Sequence, residues 1–256
     1  MTGPKVLVYD IETSPLVSYT WGTFKQNVIR VKQDYRILSV AWKWHGQSRI
    51  YDASIPDWEG FDGDMTNDYG VVATVMDLFD EADIVVAHNG DGFDQPKVRS
   101  RAWLLGMEPP VPFKQVDTLK LVRQNFALTS NRLDGVCRAL GLGGKHETGG
   151  FDTWEGCMEG NEKDWKRMVR YNRHDVVLLD QLYTYLQPWA ERGPNLAVYG
   201  DRPDACPKCG VAGEFIIRGY RNNAVTRRVL YQCKACRGYV AGRALEKIPV
   251  THTRVL

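Results

Sequence analysis

No apolar run in the 256 residues approaches the roughly 18 needed to cross a bilayer, so no membrane-spanning helix is expected. The sequence also lacks internal repeats and low-complexity tracts. With 43% hydrophobic and 25% charged residues, whole-chain disorder, collagen and coiled coil are excluded. Between Met1 and Asp10 there is one Lys, a short apolar run and then acid. That stretch has neither the apolar region nor the small-residue cleavage site of a secretory signal, which points to a cytoplasmic protein. At about 100–200 residues per domain, the length suggests one large domain or one with a small appendage.

Net charge is nearly absent too, with 33 Lys and Arg against 31 Asp and Glu. The balance hides a split at residue 200. Residues 201–256 carry 11 basic and 4 acidic side chains, or +7, while residues 1–200 carry 22 and 27, or −5. A basic tail on an acidic body suits a polyanion-binding appendage, though charge alone suits a solvated tail as well.

Cysteine is scarce in the body, where Cys137 and Cys157 stand singly and read as structural. The other four form Cys206-Pro-Lys-Cys209 and Cys233-Lys-Ala-Cys236, with 23 residues between the pairs. Each pair is a tight knuckle offering two thiolates to one tetrahedral ion, so the spacing predicts a four-cysteine zinc ribbon with one structural Zn²⁺. Gly210 and Arg237-Gly238 supply the turns that knuckles require. Two disulfides are the alternative, and a cytoplasmic location argues against them. The expected organisation is a catalytic-type domain over 1–192, a linker over 193–204 rich in turn residues, and the ribbon over 205–256.

In the body, Val6-Leu7-Val8-Tyr9 is a continuous apolar run ending in Asp10, as expected for a central strand buried on both faces. Residues 36–44 and 48–51 read as further strands, joined by a turn at Gly46. Residues 69–78 have helical spacing, 83–87 form another buried strand, and 93–105 read as a helix with Asp94 at its cap and Pro96 in its first turn. Residues 116–126 and 133–142 are helical stretches, followed by a glycine-rich loop over 143–150. From Trp165 to Leu186 apolar positions recur at helical spacing, as one long helix or two. The order predicts a mixed α/β layer architecture.

Three motifs carry chemistry. In Asp10-Ile11-Glu12 the period of two puts both carboxylates on one face of a strand, where they repel unless a cation sits between them. Asn89-Gly90-Asp91-Gly92-Phe93-Asp94 joins a buried strand to a helix, a common ligand position in α/β sheets. Asp94 there serves equally as an N-cap, and Asp91 reads as a turn former. In Tyr171-Asn172-Arg173-His174-Asp175 the first and last residues are i,i+4 and share a helical face, with His174 one position off it.

Asp-x-Glu after a strand, then Asn-x-x-x-Phe-Asp before a helix, then Tyr-x-x-x-Asp on a late helix, resembles the DEDD superfamily of 3′→5′ exonucleases. This is the DnaQ-like branch of the ribonuclease-H-like fold, and the resemblance covers roughly residues 4–190. Position 170 is Arg, not the His of the histidine-type subgroup, so the sequence is similar to the tyrosine type. With its ribbon it looks like exonuclease-like proteins of bacteriophages, which would work in the host cytoplasm. Where the family often has Thr-Gly, this sequence has Thr13-Ser14-Pro15.

The resemblance implies a ribonuclease-H-like mixed sheet flanked by helices, with Asp10, Glu12, Asp94 and Asp175 holding two Mg²⁺ or Mn²⁺ ions. It further implies that Tyr171 orients the attacking water, being mostly protonated at pH 7. Thr13, Asn89 and Phe93 would contact the terminal nucleotide, although Phe93 suits core packing equally. Lys163, Lys166, Arg167, Arg170 and Arg173 form either a phosphate-holding cluster or a solvated charged face. Lys145 and His146 sit in the glycine-rich loop, either as a mobile cover over substrate or in a linker. In the ribbon, Arg218, Arg221, Arg227, Arg228, Lys234 and Arg237 interleave with Phe215, Tyr220, Tyr231 and Tyr239, which suits nucleic-acid binding by charge and stacking or a docking surface for protein. The expected activity is a DNA exonuclease acting on single strands or 3′ ends, with a polymerase or other replication protein as a partner. Competing readings are an exoribonuclease, a non-catalytic nucleic-acid-binding module, and a transcription-type zinc-ribbon adaptor.

Overall fold

Val6, Leu7, Val8 and Tyr9 are all buried, and strand β1 (Val6–Thr13), to which they belong, runs through the middle of a five-stranded sheet. The computed structural model of the protein describes residues 3–144, 149–202, 204–223 and 226–247, the last four by backbone alone. Strands β2 (Val17–Tyr19) and β3 (Arg30–Gln33) form a separate two-stranded ribbon, followed by β4 (Ile37–Trp44) and β5 (Tyr51–Ser54). Helix α1 (Tyr69–Glu81), β6 (Ile84–Ala87), α2 (Asp94–Leu104), β7 (Lys114–Asp117) and helices α3 (Thr118–Asn125), α4 (Leu133–Ala139), α5 (Phe151–Met158) and α6 (Glu162–Leu186) complete the body. Sheet order is β5-β4-β1-β6-β7, with β4 antiparallel to β1 and β6 parallel to it. This is the mixed sheet flanked by helices that the sequence led one to expect.

The pleat of β1 divides its residues between two helical layers. Tyr9 meets Phe79 of α1 edge-on, with ring centroids 5.3 Å apart, and Leu7 and Ile11 join the same core. Val71, Val72 and Val75 of α1 are buried there as well, each worth roughly 1.5–3 kcal/mol. The opposite parity, Asp10 and Glu12, faces α6. A buried ion pair fixes the entry to α1: Arg101 donates from Nε and Nη2 to the Asp68 carboxylate at 2.8 and 2.7 Å, and the Ile37 N–H adds a bond of 3.0 Å.

Several expectations shift in the structure. β1 continues to Thr13, so Asp10 and Glu12 lie inside a strand and not at its end. The strand expected over 48–51 begins at Tyr51. The helix expected over 116–126 is a strand to Asp117 and a helix only from Thr118, because the Asp117 carboxylate caps it by accepting from Leu119 and Lys120 N–H. The helix expected to reach 142 stops at Ala139. Residues 165–186 form one helix, which begins three residues earlier. Asp94 is the first helical residue of α2 and not its cap.

Residues Lys5–Tyr183 form one compact unit, and the chain from Thr184 belongs to a second. The second holds a three-stranded antiparallel sheet, β8 (Phe215–Asn222), β9 (Thr226–Cys233) and β10 (Tyr239–Lys247), with β9 in the centre. Within the stretch expected as a linker, Leu196–Tyr199 forms a 3-10 turn capped by Asn195.

Candidate metal centre and its surroundings

Asp10 and Glu12 project from one face of β1 while Ile11 between them is buried on the other. Asp175 reaches the same place from α6 and is itself 1% exposed. One carboxylate oxygen from each of the three lies within 4.8 Å of the others. Three carboxylates this close repel strongly in a partly buried setting. An all-oxygen donor set of this kind suits a hard divalent cation such as Mg²⁺ or Mn²⁺, so these residues fit the ions that the motif implies.

Asp94 stands beside the cluster without belonging to it. Its Oδ1 accepts the Ile11 N–H at 3.3 Å, where β1 has run past the end of its pairing with β6. Burial pushes its carboxyl up to about 7, with Asp117 raising it further against the backbone hydrogen bonds. A bound cation would reverse that direction. Tyr171 lies one turn before Asp175, 9% exposed, with its ring edge-on to Trp154 at 6.2 Å.

Asn172 was missed by sequence reasoning. It is fully buried, and its Nδ2 donates to Asp10 Oδ2 at 2.7 Å and to the Asp10 carbonyl at 3.1 Å. Its own Oδ1 accepts from Ser39 Oγ at 3.1 Å, and Ser39 is buried opposite Glu12 in the ladder. Asn172 therefore fixes the orientation of Asp10 from α6.

Asn89 adopts a left-handed conformation, φ +69°, which turns the chain sharply after β6. Its N–H donates to Asp117 Oδ1 at 3.0 Å, so the residue that caps α3 also holds this loop. Asn89 and Asp10 line a groove of about 700 Å³ with Arg123, Ser130, Asn131 and Arg132. Both arginines are exposed, and neither was singled out from the sequence. Phe93 is 38% exposed, with Lys97 Nζ 5.1 Å from its ring, so it is not a core side chain. Thr13 lies just past a bulge at Glu12, at the end of β1. Asp91 pairs with Lys120 on the surface.

Among the basic residues of α6, Lys166 pairs with Glu162, Arg167 with Asp164, and Arg173 with Asp52, as on a charged solvent face. Lys163 and Arg170 are exposed. Lys145 and His146 lie outside the described residues. Cys137 and Cys157 are buried in the body, and burial pushes the Cys157 thiol up to about 12, which leaves it unreactive at neutral pH.

In the second unit Cys206, Cys209, Cys233 and Cys236 bring their sulfurs within 4.8 Å of one another. The two knuckles match. Gly210 N–H donates to the Cys206 carbonyl at 2.8 Å and Arg237 N–H to that of Cys233 at 3.0 Å, with φ +70° and +65° at the donors. The hydrogen bond with Cys209 pulls the Cys206 thiol down to about 5 and pushes Cys209 up. Four sulfurs so placed fit a tetrahedral Zn²⁺. In the adjoining sheet Arg227 lies 3.9 Å over the Tyr220 ring, and Tyr220 and Tyr239 are exposed.

Residues 44–187 match the family RNase_H_2, described as RNase_H superfamily. That stretch contains Asp94, Tyr171 and Asp175 and begins after Asp10 and Glu12. None of the curated proteins compared matches the sequence. The structure is also similar to the family B DNA polymerase from the hyperthermophilic archaeon Pyrobaculum calidifontis, with a TM-score of 0.49 and 20% identity over 72% of this chain. The similarity covers 25% of that polymerase, so this chain spans a quarter of its length.

Proposed function

The chain belongs to the RNase_H superfamily, and on that premise we propose that it is a metal-dependent 3′→5′ exonuclease acting on DNA. The observation that carries this reading is the convergence of Asp10, Glu12 and Asp175 within 4.8 Å, with Asp94 bonded to the strand between the first two. These four residues would hold the divalent ions. When bound, such ions lower the pKa of a water and neutralise charge on the phosphate being cleaved. The polarity is proposed on the order and spacing of the three motifs.

The chain's own side chains then have distinct tasks. Asn172 would hold the Asp10 carboxylate in place through its amide, and burial would restrain Asp175 on α6. Tyr171, a turn before Asp175 on the same helix, would give a hydrogen bond to the attacking water or accept one from it. Asn89, Phe93 and Thr13 border the same end of the sheet and would contact the terminal nucleotide. Arg123 and Arg132 would hold backbone phosphates along the groove. The ribbon over 205–256 would bind one Zn²⁺ and grip substrate through its basic and aromatic side chains, and a polymerase or other replication protein is the proposed partner.

The test is digestion of 5′-labelled single-stranded DNA and RNA of one sequence in Mg²⁺ or Mn²⁺, with a 3′-blocked oligonucleotide and Asp175→Ala alongside. A ladder shrinking from the free 3′ end on DNA, lost in the variant, is the expected result. A ladder on RNA alone would replace the substrate by RNA. Intact oligonucleotides under both metals would overturn the reading.

A further inference from the structure

Between Thr13 and Asp34 the sequence has no acidic residue and three basic ones, Lys25, Arg30 and Lys32, in a body whose net charge is −5. The same stretch forms the β2/β3 arm, and its large side chains are in water. Trp21 is 89% exposed, Phe24 75% and Tyr19 55%. Aromatic side chains of this size left exposed together mark a binding surface.

The arm is built to hold them out. Tyr19 pairs with Arg30 across the ribbon, and Ile29 N–H donates to the Tyr19 carbonyl at 2.9 Å. At the tip Thr20 Oγ1 donates to the Gly22 carbonyl at 2.8 Å, Gln26 Nε2 donates to the Phe24 carbonyl, and Lys25 takes φ +46° with its ammonium 5.5 Å from the Phe24 ring. At the root the Ser14 N–H donates to the Arg36 carbonyl and the Arg36 N–H to Ser14 Oγ, both at 2.9 Å. This continues the β1/β4 ladder one step beyond Thr13 and Ile37. The arm is thus an outgrowth of the two strands that carry Glu12 and its partner Ser39.

A second contact ties the root to the cluster. Lys97 Nζ lies 3.6 Å from the Tyr35 ring and 5.1 Å from the Phe93 ring, and Tyr35 OH donates to the Lys97 carbonyl at 3.4 Å. Phe93 immediately precedes Asp94. A ring, a cation and a second ring therefore run from Phe93, next in sequence to Asp94, to the root of the arm at Tyr35. Trp21 is nine positions after Glu12, so the tip lies at most about 30 Å from the cluster.

We infer that the 14–35 arm is a docking strip for single-stranded nucleic acid, with bases stacking on Tyr19, Trp21 and Phe24 and phosphates paired to Lys25, Arg30 and Lys32. Positive charge selects a polyanion, and exposed ring faces select unpaired bases, because a duplex hides its base faces. The inference rests on the exonuclease reading for its direction, with the strand's far portion on the arm and its 3′ end at the carboxylates.

The experiment measures binding of a fluorescent single-stranded oligonucleotide of about 20 nucleotides by anisotropy in Ca²⁺, using the full chain, Trp21→Ala/Phe24→Ala, and Lys25→Gln/Arg30→Gln/Lys32→Gln. All five side chains are exposed, and thermal unfolding checks that each variant is folded. The aromatic variant is expected to bind at least tenfold more weakly, and the charge variant to show a flatter dependence on salt. Affinity within twofold of wild type in both variants would overturn the inference and leave the strip to a protein partner. Wild-type turnover of a nitrophenyl ester of thymidine monophosphate, too short to reach the arm, reports on the carboxylates separately. An inert ester with weakened binding in the variants would refute the exonuclease and leave the strip standing.

Discussion

Asn172→Leu replaces a fully buried amide with an apolar side chain of similar volume, and its consequences follow from three hydrogen bonds. The bond to Asp10 Oδ2, 2.7 Å, is to a carboxylate, the kind of bond worth about 1.5–3 kcal/mol when a metal ion holds that group charged. The bond to the Asp10 carbonyl, 3.1 Å, is ordinary and worth about 1 kcal/mol. The third leaves the buried Ser39 hydroxyl without the acceptor it now has. Two effects are expected. The fold should lose about 1–3 kcal/mol from the stranded hydroxyl, read as a lower urea midpoint at unchanged slope. Asp10, held less firmly without the Asn172 amide, should bind a divalent ion 10–100-fold more weakly, the usual cost of removing a group that orients a metal ligand. That factor is roughly 1.4–2.7 kcal/mol, close to the range of the charged bond alone. The assay is Mn²⁺ titration followed by the disappearance of the free-ion resonance, at pH 7 and well below the urea transition. It needs no turnover. Asn172→Asp should behave differently, since a fourth carboxylate beside Asp10 raises repulsion in the empty site and relieves it only with the ion bound. An Mn²⁺ affinity for the Leu variant within twofold of wild type, in a folded protein, would refute the positioning role.

Two further outcomes follow from the packing. Arg101→Met should cost about 3–5 kcal/mol, because among the described residues it leaves the buried Asp68 carboxylate only the Ile37 N–H; a loss below 1 kcal/mol in urea unfolding would contradict this. Chelation should release one Zn²⁺ per chain, expose the four ribbon thiols to an aromatic disulfide reagent and unfold the β8–β10 sheet, in whose first two strands only Cys233, itself a ligand, is buried. Thiols equally reactive before and after chelation would rule out the zinc site.

Local patterns in the sequence located much of the carboxylate cluster. The period of two placed Asp10 and Glu12 on one face, and i,i+4 spacing placed Tyr171 and Asp175 on another, because both periodicities are properties of a single element. Asp94 was harder. A helix N-terminus offers a carboxylate a local use, and only the fold reveals that the Ile11 N–H, 83 residues away, takes it instead. Asp117 shows the converse. Its capping role is local, yet Val116 and its neighbours suit a short strand and a first helical turn alike, so the boundary fell two residues early.

Asn172 carried a readable signal that went unused. It lies four residues from both Met168 and Val176, which with Leu179 form a buried stripe along α6, and a polar residue on such a stripe must find a partner inside. The β2/β3 arm was legible in the same way, since Val17-Ser-Tyr and Ile29-Arg-Val-Lys alternate as strands do. What no periodicity could reveal is that, among the described residues, none buries Tyr19 on one face of that ribbon or Val31 on the other. Alternation ordinarily marks one face for a core, and here Tyr19 and Val31 stand in water along with Arg30 and Lys32. An apolar residue on a strand is evidence of burial only where a second layer exists to receive it. The arm extends past the last rung of the β1/β4 ladder, where Tyr19, Trp21, Phe24 and Val31 are exposed because the helices that cover the main sheet pack on β1 and β4 and not on this ribbon.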